Sequence, residues 1–398
     1  MKTKPLTQIC NITTGKLDAN AEVLNGTYPF FTCAPEPSRI DTFAFDDDVI
    51  LLAGNNAQGN FHLQRFKGKF NAYQRTYVIT AKDGYDIDYI KYSLELSLQQ
   101  LKRLAQGSQT KFLTMQILDS FRIADIPYEE QKELVSSIRE VDAKISVNKQ
   151  ICAELEFMAK TLYDYWFTQF DFPNEEGKPY RSSGDAMEWN EQLKREIPKG
   201  WSVATINEMT KSYRGVSYDK KDLLPSSENG VLVLRGNNIQ NNRLVYDNNV
   251  AYVPHSFVSK EQEIRAHDII LTMSSGSKDH IGKCTMFQCD SPHTYGAFLT
   301  KFTPDKDKVG FVYLSMISDF FKKKIKAICN GTGINNLTNE TFDNLVFPKP
   351  VDSVLGCFEE IIAPMLEKMG ICERENEELT KLRDWLLPML MNGQATVE

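Results

Sequence analysis

Residues 134–166 read LVSSIREVDAKISVNKQICAELEFMAKTLYDYW, and residues 358–390, which begin 224 positions later, read FEEIIAPMLEKMGICERENEELTKLRDWLLPML. In both stretches apolar side chains recur at alternating steps of three and four, the heptad period of a coiled-coil seam. The predicted seam comprises Leu134, Ile138, Val141, Ile145, Leu155, Leu162, Phe358, Ile362, Met365, Met369, Leu379 and Leu386. Each stretch therefore predicts a helix of about 40 residues, roughly 60 Å long, whose apolar seam needs a partner.

The 224-residue spacing extends upstream of both helices, so a whole unit is repeated. The paired identities include Tyr89 with Tyr313, Lys102 with Lys326, Gly107 with Gly331, Leu113-Thr114 with Leu337-Thr338, and Asp119 with Asp343. Each copy reads as a mixed segment, then a Gly-centred loop, then a long helix. Two such copies predict an internal pseudo-two-fold axis, an antiparallel helix pair and an approximately two-fold ligand, for which duplex DNA with two half-sites is suited.

Several positions in the helices have more than one interpretation. The alternative to a coiled coil is two amphipathic helices that each pack on their own domain, but the 3.5-residue period favours the coiled coil. Asn148 and Asn376 fall in the seam, where a buried amide fixes register or where the packed region simply ends. Pro364 and Pro388 predict bends or breaks in the second helix. Arg383, also in the seam, must reach solvent or a carboxylate.

Length and composition indicate an ordinary folded protein. With 398 residues, 41% hydrophobic and 25% charged, the chain is expected to form two or three domains. The net charge of −7 argues mildly against non-specific binding of nucleic acid over the whole surface, but permits a local basic cleft. The eight cysteines show neither Cys-x-x-Cys nor paired histidine spacing. Residues 1–8 contain no apolar signal core, and no uninterrupted apolar run is long enough to span a bilayer. We expect a cytoplasmic protein without structural zinc, disulfides or a membrane segment.

The order of apolar and polar segments divides the chain into five parts. Short β-like runs and a helix fill residues 1–126 and again residues 201–349, each predicted as a small α/β domain with an irregular sheet. The two long helices occupy residues 127–171 and 350–393. Residues 172–200 are polar and rich in turn formers, so they are interpreted as a linker.

Signatures of catalysis are missing from the sequence. There is no Walker loop, no dinucleotide-binding glycine motif, no zinc-protease motif, no nucleophile elbow and no methyltransferase-type Asn-Pro-Pro-aromatic run. The run Asp46-Asp47-Asp48 permits a metal site, but solvated carboxylates before a strand are the favoured reading. We therefore predict no catalytic residue and no metal ligand.

Amide and basic side chains cluster in loops of both copies. The predicted DNA contacts are Asn55, Asn56, Gln58, Lys67, Lys69, Asn71, Tyr73 and Arg75 in the first copy, and Arg235, Asn237, Asn238, Gln240, Arg243, Ser275, Ser277, Lys278 and Lys283 in the second. Asn and Gln bond to adenine edges, Arg and Lys bond to guanine, and both cations neutralise phosphates. For any single residue a turn is the simpler interpretation, but the two clusters together favour DNA contact.

Basic runs precede both Gly-centred loops. Lys102-Arg103 occupies this place in the first copy, and Lys322, Lys323, Lys324 and Lys326 occupy it in the second. A solvated helix face and a phosphate-contacting edge both account for such runs.

The sequence resembles the specificity subunit of type I restriction–modification systems. The resemblance rests on the Gly-[Ser/Thr]…Leu-Thr…Asp loops at residues 107–119 and 331–343, on Ile197-Pro-Lys-Gly-Trp201, and on the helix ends at residues 162–167 and 386–393. It covers nearly the whole chain. The first copy lacks a counterpart of Pro198-Lys-Gly-Trp201.

The resemblance implies two target-recognition domains that each read one half of a split DNA sequence, with the helix pair as spacer. It implies no active site and no cofactor on this chain. Two modification subunits would bind S-adenosylmethionine and methylate adenine, and motor–nuclease subunits would cut the DNA. The alternatives are a methyltransferase or nuclease with the same recognition domains, for which a cofactor or metal motif is missing, and a coiled-coil scaffold between two protein-binding domains.

Overall fold

The computed structural model describes residues 2–57, 59–107, 110–226, 228–245, 250–275, 280–331 and 336–391. Within these described residues, the first α/β domain and the helix that follows it contain ten strands and five α-helices. The strands are β1 (Thr3–Pro5), β2 (Cys10–Thr14), β3 (Tyr28–Phe31), β4 (Ser38–Ile40), β5 (Phe45–Ala53), β6 (Asn55–Asn56), β7 (Leu63–Ala72), β8 (Thr76–Ala81), β9 (Lys111–Phe112) and β10 (Arg122–Ala124). The helices are α1 (Leu6–Ile9), α2 (Ile87–Leu96), α3 (Leu98–Leu104), α4 (Met115–Ser120) and α5 (Tyr128–Tyr163).

The second α/β domain, the segment before it and the helix after it contain thirteen strands and five α-helices among the described residues. The strands are β11 (Met187–Asn190), β12 (Arg195–Pro198), β13 (Ser202–Thr205), β14 (Thr210–Arg214), β15 (Gly230–Leu234), β16 (Ile239–Gln240), β17 (Arg243–Leu244), β18 (Tyr252–Pro254), β19 (Ile269–Thr272), β20 (Cys284–Met286), β21 (Thr294–Tyr295), β22 (Leu299–Pro304) and β23 (Val346–Lys349). The helices are α6 (Ile206–Met209), α7 (Val309–Ile317), α8 (Asp319–Gly331), α9 (Asn339–Asp343) and α10 (Asp352–Met391).

The two domains have related strand orders around one buried central strand, although the second domain divides its strands between two sheets. In the first domain the order is β2-β8-β5-β7-β3-β4, with the end of β5 fully buried. In the second domain β19 takes the place of β5 in the order β14-β22-β19-β20, and β15 pairs in parallel with β21 as β3 does with β7. Runs such as Val49-Ile-Leu-Leu-Ala and Ile269-Ile-Leu form these central strands because they are apolar on both faces.

The predicted helix before each Gly-centred loop is divided in two. The first divides at Ser97 and the second at Ser318. Both serines turn their hydroxyl onto the preceding turn: Ser97 Oγ donates to Ser93 O at 3.2 Å, and Ser318 Oγ donates to Ser315 O at 2.7 Å. Side chains that bond the backbone in this way compete with regular helix hydrogen bonding.

The predicted linker, residues 172–200, forms ordered structure. It contains the antiparallel hairpin β11–β12, in which Met187 lies opposite Pro198. Phe172 stacks on Trp201 with ring centroids 5.0 Å apart, and both are buried. The segment therefore joins the second hydrophobic core, although its composition indicated a polar linker.

The two long helices form as predicted, except at the prolines. α5 spans 36 residues and α10 spans 40. α10 runs without a break across both Pro364 and Pro388, so the expected breaks are wrong. A proline removes one backbone hydrogen bond, and the buried positions on either side, such as Ile362 and Leu366, keep the helix packed.

The chain divides into two compact units, and each contains part of both helices. Unit 1 is Met1–Ser146 with Asn376–Glu398, and unit 2 is Val147–Glu375. In unit 1, Val135 and Ile138 of α5 share a core with Leu387 and Leu390 of α10. In unit 2, Trp166, in the π-helical turn directly after α5, packs on Phe358, while Cys152 of α5 lies beside Met369, so the helices run antiparallel. The predicted fold, two related α/β domains with a pair of long antiparallel helices, is confirmed.

Within each unit the seam follows the predicted heptads with local shifts. Of the predicted positions, Ile138, Ile145, Phe358, Ile362 and Met369 are buried, and Leu134, Val141, Leu155, Leu162, Met365, Leu379 and Leu386 are half-buried. At four of the half-buried positions, the residue that follows the predicted one is buried instead: these residues are Val135, Tyr163, Leu366 and Leu387. A straight helix drifts by about 20° per heptad, which moves the buried face towards the following residue.

Polar seam residues are paired inside the units. In unit 2 the Asn148 amide is buried and donates to Glu375 Oε2 at 2.7 Å. This bond supports a register role for Asn148 over a position at the end of packing. In unit 1 Arg383 reaches Asp142 Oδ1 at 3.2 Å, so it finds a carboxylate on the opposite helix.

Among the described helices, none combines the length and hydropathy that crossing a bilayer requires.

Candidate nucleic-acid interface

Three segments distant in sequence meet at one edge of the first domain. Gly54, directly after β5, accepts a backbone hydrogen bond from Leu113 N at 2.8 Å and donates one to Arg75 O at 2.8 Å. β6, the pair Asn55–Asn56, lies antiparallel to β9, with Asn55 opposite Phe112. We call residues 54–57, 73–75 and 111–113 the first three-loop edge.

The second domain builds the same edge with the same hydrogen bonds. Met273, directly after β19, accepts from Leu337 N at 2.7 Å and donates to Phe298 O at 2.9 Å. Ser274 lies opposite Asn336 in an antiparallel β-bridge, as Asn55 lies opposite Phe112 in the first domain. We call residues 273–275, 296–298 and 336–337 the second three-loop edge; Ser274 is the counterpart of Asn55, and Phe298 is the counterpart of Arg75.

One glycine packs against the turn of each edge. Gly15 N donates to Thr76 O at 3.2 Å in the first domain, and Gly215 N donates to Leu299 O at 3.2 Å in the second. A Cβ atom on Gly15 would lie 1.9 Å from Ala72 O, and one on Gly215 would lie 2.2 Å from Gly296 O. No other residue fits at either place, because the approaching atoms belong to the backbone.

Amide and basic groups converge at the first edge. Lys102 of α3 donates from Nζ to Asn60 Oδ1 at 2.7 Å. Gly59, at φ +73°, lies against the side chains of Lys102 and Lys111, since a Cβ atom there would be 3.3 Å from each. Asn55 and Asn56 are half-buried beside them, and Arg75 is exposed. The amide cluster and the basic run, separate features of the sequence, are thus one surface; Gln58 lies outside the described residues.

Other predicted contacts of the first domain lie on a strand, opposite carboxylates. Lys67 and Lys69 are exposed on β7, with Asp48 and Asp46 of β5 as their cross-strand neighbours. Asp48 also pairs with Arg65. These carboxylates offset the positive charge locally, so Lys67 and Lys69 present a weaker attraction for phosphate than the sequence indicated.

Two predicted contacts are structural, because their amides are buried and bonded to backbone. Asn71 Oδ1 accepts from Ala72 N at 3.0 Å, and its Nδ2 donates to Thr42 O at 3.4 Å. Asn238, 4% exposed, accepts from Arg235 N at 2.9 Å and donates to Val245 O at 2.9 Å. Buried amides with satisfied partners hold loops in shape, so both amides serve the fold, and a contact of Asn71 or Asn238 with DNA stays a prediction.

Arg243 contacts a helix of its own unit. It pairs with Glu156 Oε2 of α5 at 3.8 Å, and Asn242 Nδ2 donates to Glu156 Oε1 at 3.1 Å. Burial opposes the charged form of Glu156, but hydrogen bonds from Lys160 and Asn242 and the charge of Arg243 outweigh it and hold its pKa below the usual value. Arg243 therefore ties a loop to α5, and its contact with DNA stays a prediction.

The remaining predicted residues stay candidates. In the first domain Tyr73 is half-buried in the turn beside Arg75. In the second, Asn237 and Gln240 are exposed and bonded to each other, Gln240 Nε2 to Asn237 O at 3.2 Å. Arg235 and Ser275 are half-buried, and Lys283 Nζ lies 3.1 Å from His280 Nδ1. Ser277 and Lys278 lie outside the described residues.

Sequence reasoning missed two residues of the second edge. Phe298 is 67% exposed in the turn between β21 and β22. Arg214 is exposed at the end of β14, and its Nε donates to Ala297 O at 3.2 Å. The spacing of 223 residues between Arg75 and Phe298 was the available signal, but a Gly-Ala-Phe turn has no polar group to attract notice.

Basic side chains also lie outside the two edges, on α8. Lys322, Lys323, Lys324 and Lys326 of α8 are all exposed, so the choice between a solvated face and a phosphate contact remains a prediction. In the parts of the chain that the structure describes, no group of three or more His, Cys, Asp or Glu side chains is arranged to hold a metal ion.

Comparison with known proteins identifies the architecture. Residues 1–157 and 198–382 match the family described as type I restriction modification DNA specificity domain. The chain is 34% identical over 161 residues to the type I restriction enzyme EcoDI specificity subunit of Escherichia coli, an alignment covering 40% of this chain and 35% of that protein. It is 32% identical over 207 residues to the StySPI specificity subunit of Salmonella potsdam, covering 50% of this chain and 44% of that protein. The chain thus spans less than half the length of these relatives.

A solved structure shares the fold. The type I restriction–modification S subunit from M. genitalium superposes with a TM-score of 0.58 at 16% identity, covering 98% of this chain and 95% of that chain. At this identity the likeness concerns the fold alone.

Proposed function

The chain belongs to the type I restriction–modification DNA specificity family, and from that membership we propose that it is the subunit that gives such a complex its DNA sequence. Each α/β domain reads one half of a split double-stranded target, residues 1–126 forming one recognition domain and residues 201–349 the other. The chain performs no chemistry itself. It acts in the cytoplasm, where its DNA substrate is found.

The observation that carries this proposal is the three-loop edge, built twice with the same backbone hydrogen bonds and different side chains. The first edge carries Arg75, Asn55, Asn56 and lysines, and the second carries Phe298, Ser274 and Arg214. A conserved frame with variable groups is suited to reading two different half-sites. Cations and amides are the groups that contact phosphates and base edges.

The long helices act as the spacer between half-sites. Residues 127–171 and 350–393 are proposed as the two spacer segments. Antiparallel packing and the Asn148–Glu375 hydrogen bond support a fixed register, and a fixed register supports a fixed distance.

Exposed apolar positions on the helices support protein partners in two copies. Val147 and Met158 are exposed on α5, and the residues 224 positions later, Ile371 and Leu382, are exposed on α10. Exposed apolar side chains in a repeated arrangement mark partner sites. We propose that two modification subunits bind there, that they carry S-adenosylmethionine and methylate adenine, and that motor–nuclease subunits join them.

The test is adenine-methylation mapping by long-read sequencing of DNA from cells that contain this chain with its modification subunit. The expected result is a split motif with a fixed internal spacer, absent from cells without this chain. Methylation that is unchanged without the chain, or a motif with one continuous part, contradicts the proposal. A chain with Lys102→Ala and Lys111→Ala is the internal comparison, because it should lower the level of methylation without changing the spacer.

A further inference from the structure

Phe298 places a large apolar ring in solvent on a fixed backbone. Its carbonyl accepts from Met273 N at 2.9 Å and from Ser274 N at 3.3 Å, so the turn that carries it is held to the central strand. Complete burial of such a side chain would stabilise the folded domain. The second domain forgoes most of that stabilisation at this position.

Arg75 occupies the corresponding place in the first domain. The correspondence rests on four pairs of backbone hydrogen bonds. In the first domain the backbone N–H groups of Gly54, Gly15, Tyr73 and Gln74 donate to the carbonyls of Arg75, Thr76, Phe31 and Leu17, in that order. In the second domain the N–H groups of Met273, Gly215, Gly296 and Ala297 donate, in the same order, to the carbonyls of Phe298, Leu299, Leu234 and Val216. Two domains of one fold therefore expose an arginine and a phenylalanine at the same point of the same edge.

The surroundings of Phe298 suit DNA. Arg214 lies beside the turn, with its guanidinium donating to Ala297 O at 3.2 Å, and is exposed enough to reach a phosphate. Ser274 and Ser275 follow the central strand on the neighbouring segment, and serine hydroxyls donate to or accept from any base edge. The ring is thus flanked by a cation and by small polar groups.

Side chains at one position read different base pairs by different chemistry. An arginine bonds to the O6 and N7 atoms of guanine in the major groove, whereas a phenylalanine makes an apolar contact with the C5-methyl group of thymine. We propose that Phe298 determines specificity in the second half-site by contacting a thymine methyl group, at the position where Arg75 contacts guanine in the first. This inference rests on the proposed function and names the base that one residue reads.

The first test maps methylation motifs for Phe298→Ala and Arg75→Ala in the complex with the modification subunit. Phe298→Ala should make one A·T position of one half-site degenerate, with discrimination falling on the order of ten-fold, and leave the other half unchanged. Arg75→Ala should relax one G·C position of the other half. Phe257→Ala is the matched control, because Phe257 is another exposed phenylalanine of the same domain, 37% exposed and outside the edge; its motif should equal that of the wild type.

The second test separates a methyl contact from a structural role. Binding of the complex is measured on a duplex target and on the same target with uracil in place of the relevant thymine, which removes only the methyl group. Wild-type affinity should fall several-fold on the uracil duplex, while the Phe298→Ala complex should bind both duplexes equally. Equal binding by the wild type contradicts a methyl contact and leaves insertion between base steps as the other use of an apolar side chain.

The outcomes distinguish this inference from the proposed function. A wild-type complex that gives no split motif contradicts the function itself. A wild-type split motif that Phe298→Ala leaves intact contradicts the inference alone.

Discussion

Two adjacent asparagines of the second domain differ in what their amides do. The Asn238 amide is buried and joins the backbone at Arg235 and Val245, whereas Asn237 is exposed. Replacing Asn238 by alanine should therefore cost about 1–3 kcal/mol of unfolding free energy, since it leaves buried backbone groups without partners. Asn237→Ala should stay within about 0.5 kcal/mol of the wild type. Chemical unfolding of the full chain measures both; equal midpoints would mean that the Asn238 bonds carry no stability.

A buried ion pair in the second domain corresponds to two valines in the first. Asp268 and Lys301 lie 3.1 Å apart and are almost fully buried, and strand pairing aligns them with Val49 and Val78. Asp268→Val should cost about 3–5 kcal/mol, because it leaves a buried charge unpaired. Adding Lys301→Val should recover most of that loss, since the fold already accommodates valine at both positions. Thermal unfolding of single and double variants measures this, and a double variant less stable than the single one contradicts it.

At the scale of elements, the helices were the most predictable part. The seam from Ile138 to Trp166 is set by a local period, which the sequence displays directly. The divisions at Ser97 and Ser318 were missed because each depends on a serine hydroxyl that bonds to the preceding turn. The wrong break at Pro364 has the opposite cause, since tertiary packing maintained a helix that local preference disfavours.

The candidate interface was predictable only in part, because it is assembled from segments far apart in the chain. Some of the amide-rich and basic stretches lie in surface loops, but Lys67 and Lys69 lie on β7, and the meeting of Asn60 with Lys102 depends on the path of the backbone. The same holds for the ion pair of Arg243 with Glu156 and for the position of Lys69 opposite Asp46. Phe298 could be found only after the two sheets were aligned strand by strand.

Asp142 connects three helices of unit 1. Burial opposes its charged form, but Lys91 and Tyr92 of α2 and Arg383 of α10 outweigh burial and hold its pKa below the usual value. The carboxylate therefore contributes stability above the unfolded-state pKa of about 3.9, and this contribution is lost as the pH falls through the lower folded-state pKa.

Asp142→Asn should lower the unfolding temperature at neutral pH and flatten its dependence on pH below about pH 4. Unfolding temperature measured from pH 3 to pH 7 tests the prediction. Adding Arg383→Met should return part of the neutral-pH loss, because the half-buried seam then no longer holds a guanidinium that has lost its carboxylate on the opposite helix and keeps only Asp384. A variant with the full acid sensitivity of the wild type would show that other carboxylates are responsible.

At the scale of the whole molecule, each α/β domain is a closed module. In the second domain β13 pairs with β23, so that Ser202 lies opposite Lys349 and the ends of the domain are adjacent. In the first, β1 pairs with β10 in the same way, with Thr3 opposite Ala124. Adjacent ends allow a domain to be replaced with little strain on the rest of the chain.

Exchanging residues 201–349 for the corresponding domain of another family member should change one half of the methylated motif and keep the other half and the spacer. Methylation mapping of the chimaera is the measurement, and the reciprocal exchange of residues 1–126 is its control. Both halves changing together would mean that the domains do not read independently.

The helices, finally, should set the spacing between half-sites. Residues 145–151 of α5 and residues 369–375 of α10 are equivalent under the 224-residue repeat, and both include seam positions of unit 2, where Asn148 bonds to Glu375. Deleting both segments removes one heptad from each helix and keeps the seam in phase, because seven residues are close to two turns. The helix pair should shorten by about 10 Å, or about three base pairs of duplex. The methylated motif should then keep both half-sites with a spacer about three base pairs shorter.

Deletion from α5 alone should abolish methylation by misaligning the seam, whereas an unchanged spacer in the double deletion would show that something other than helix length sets the distance.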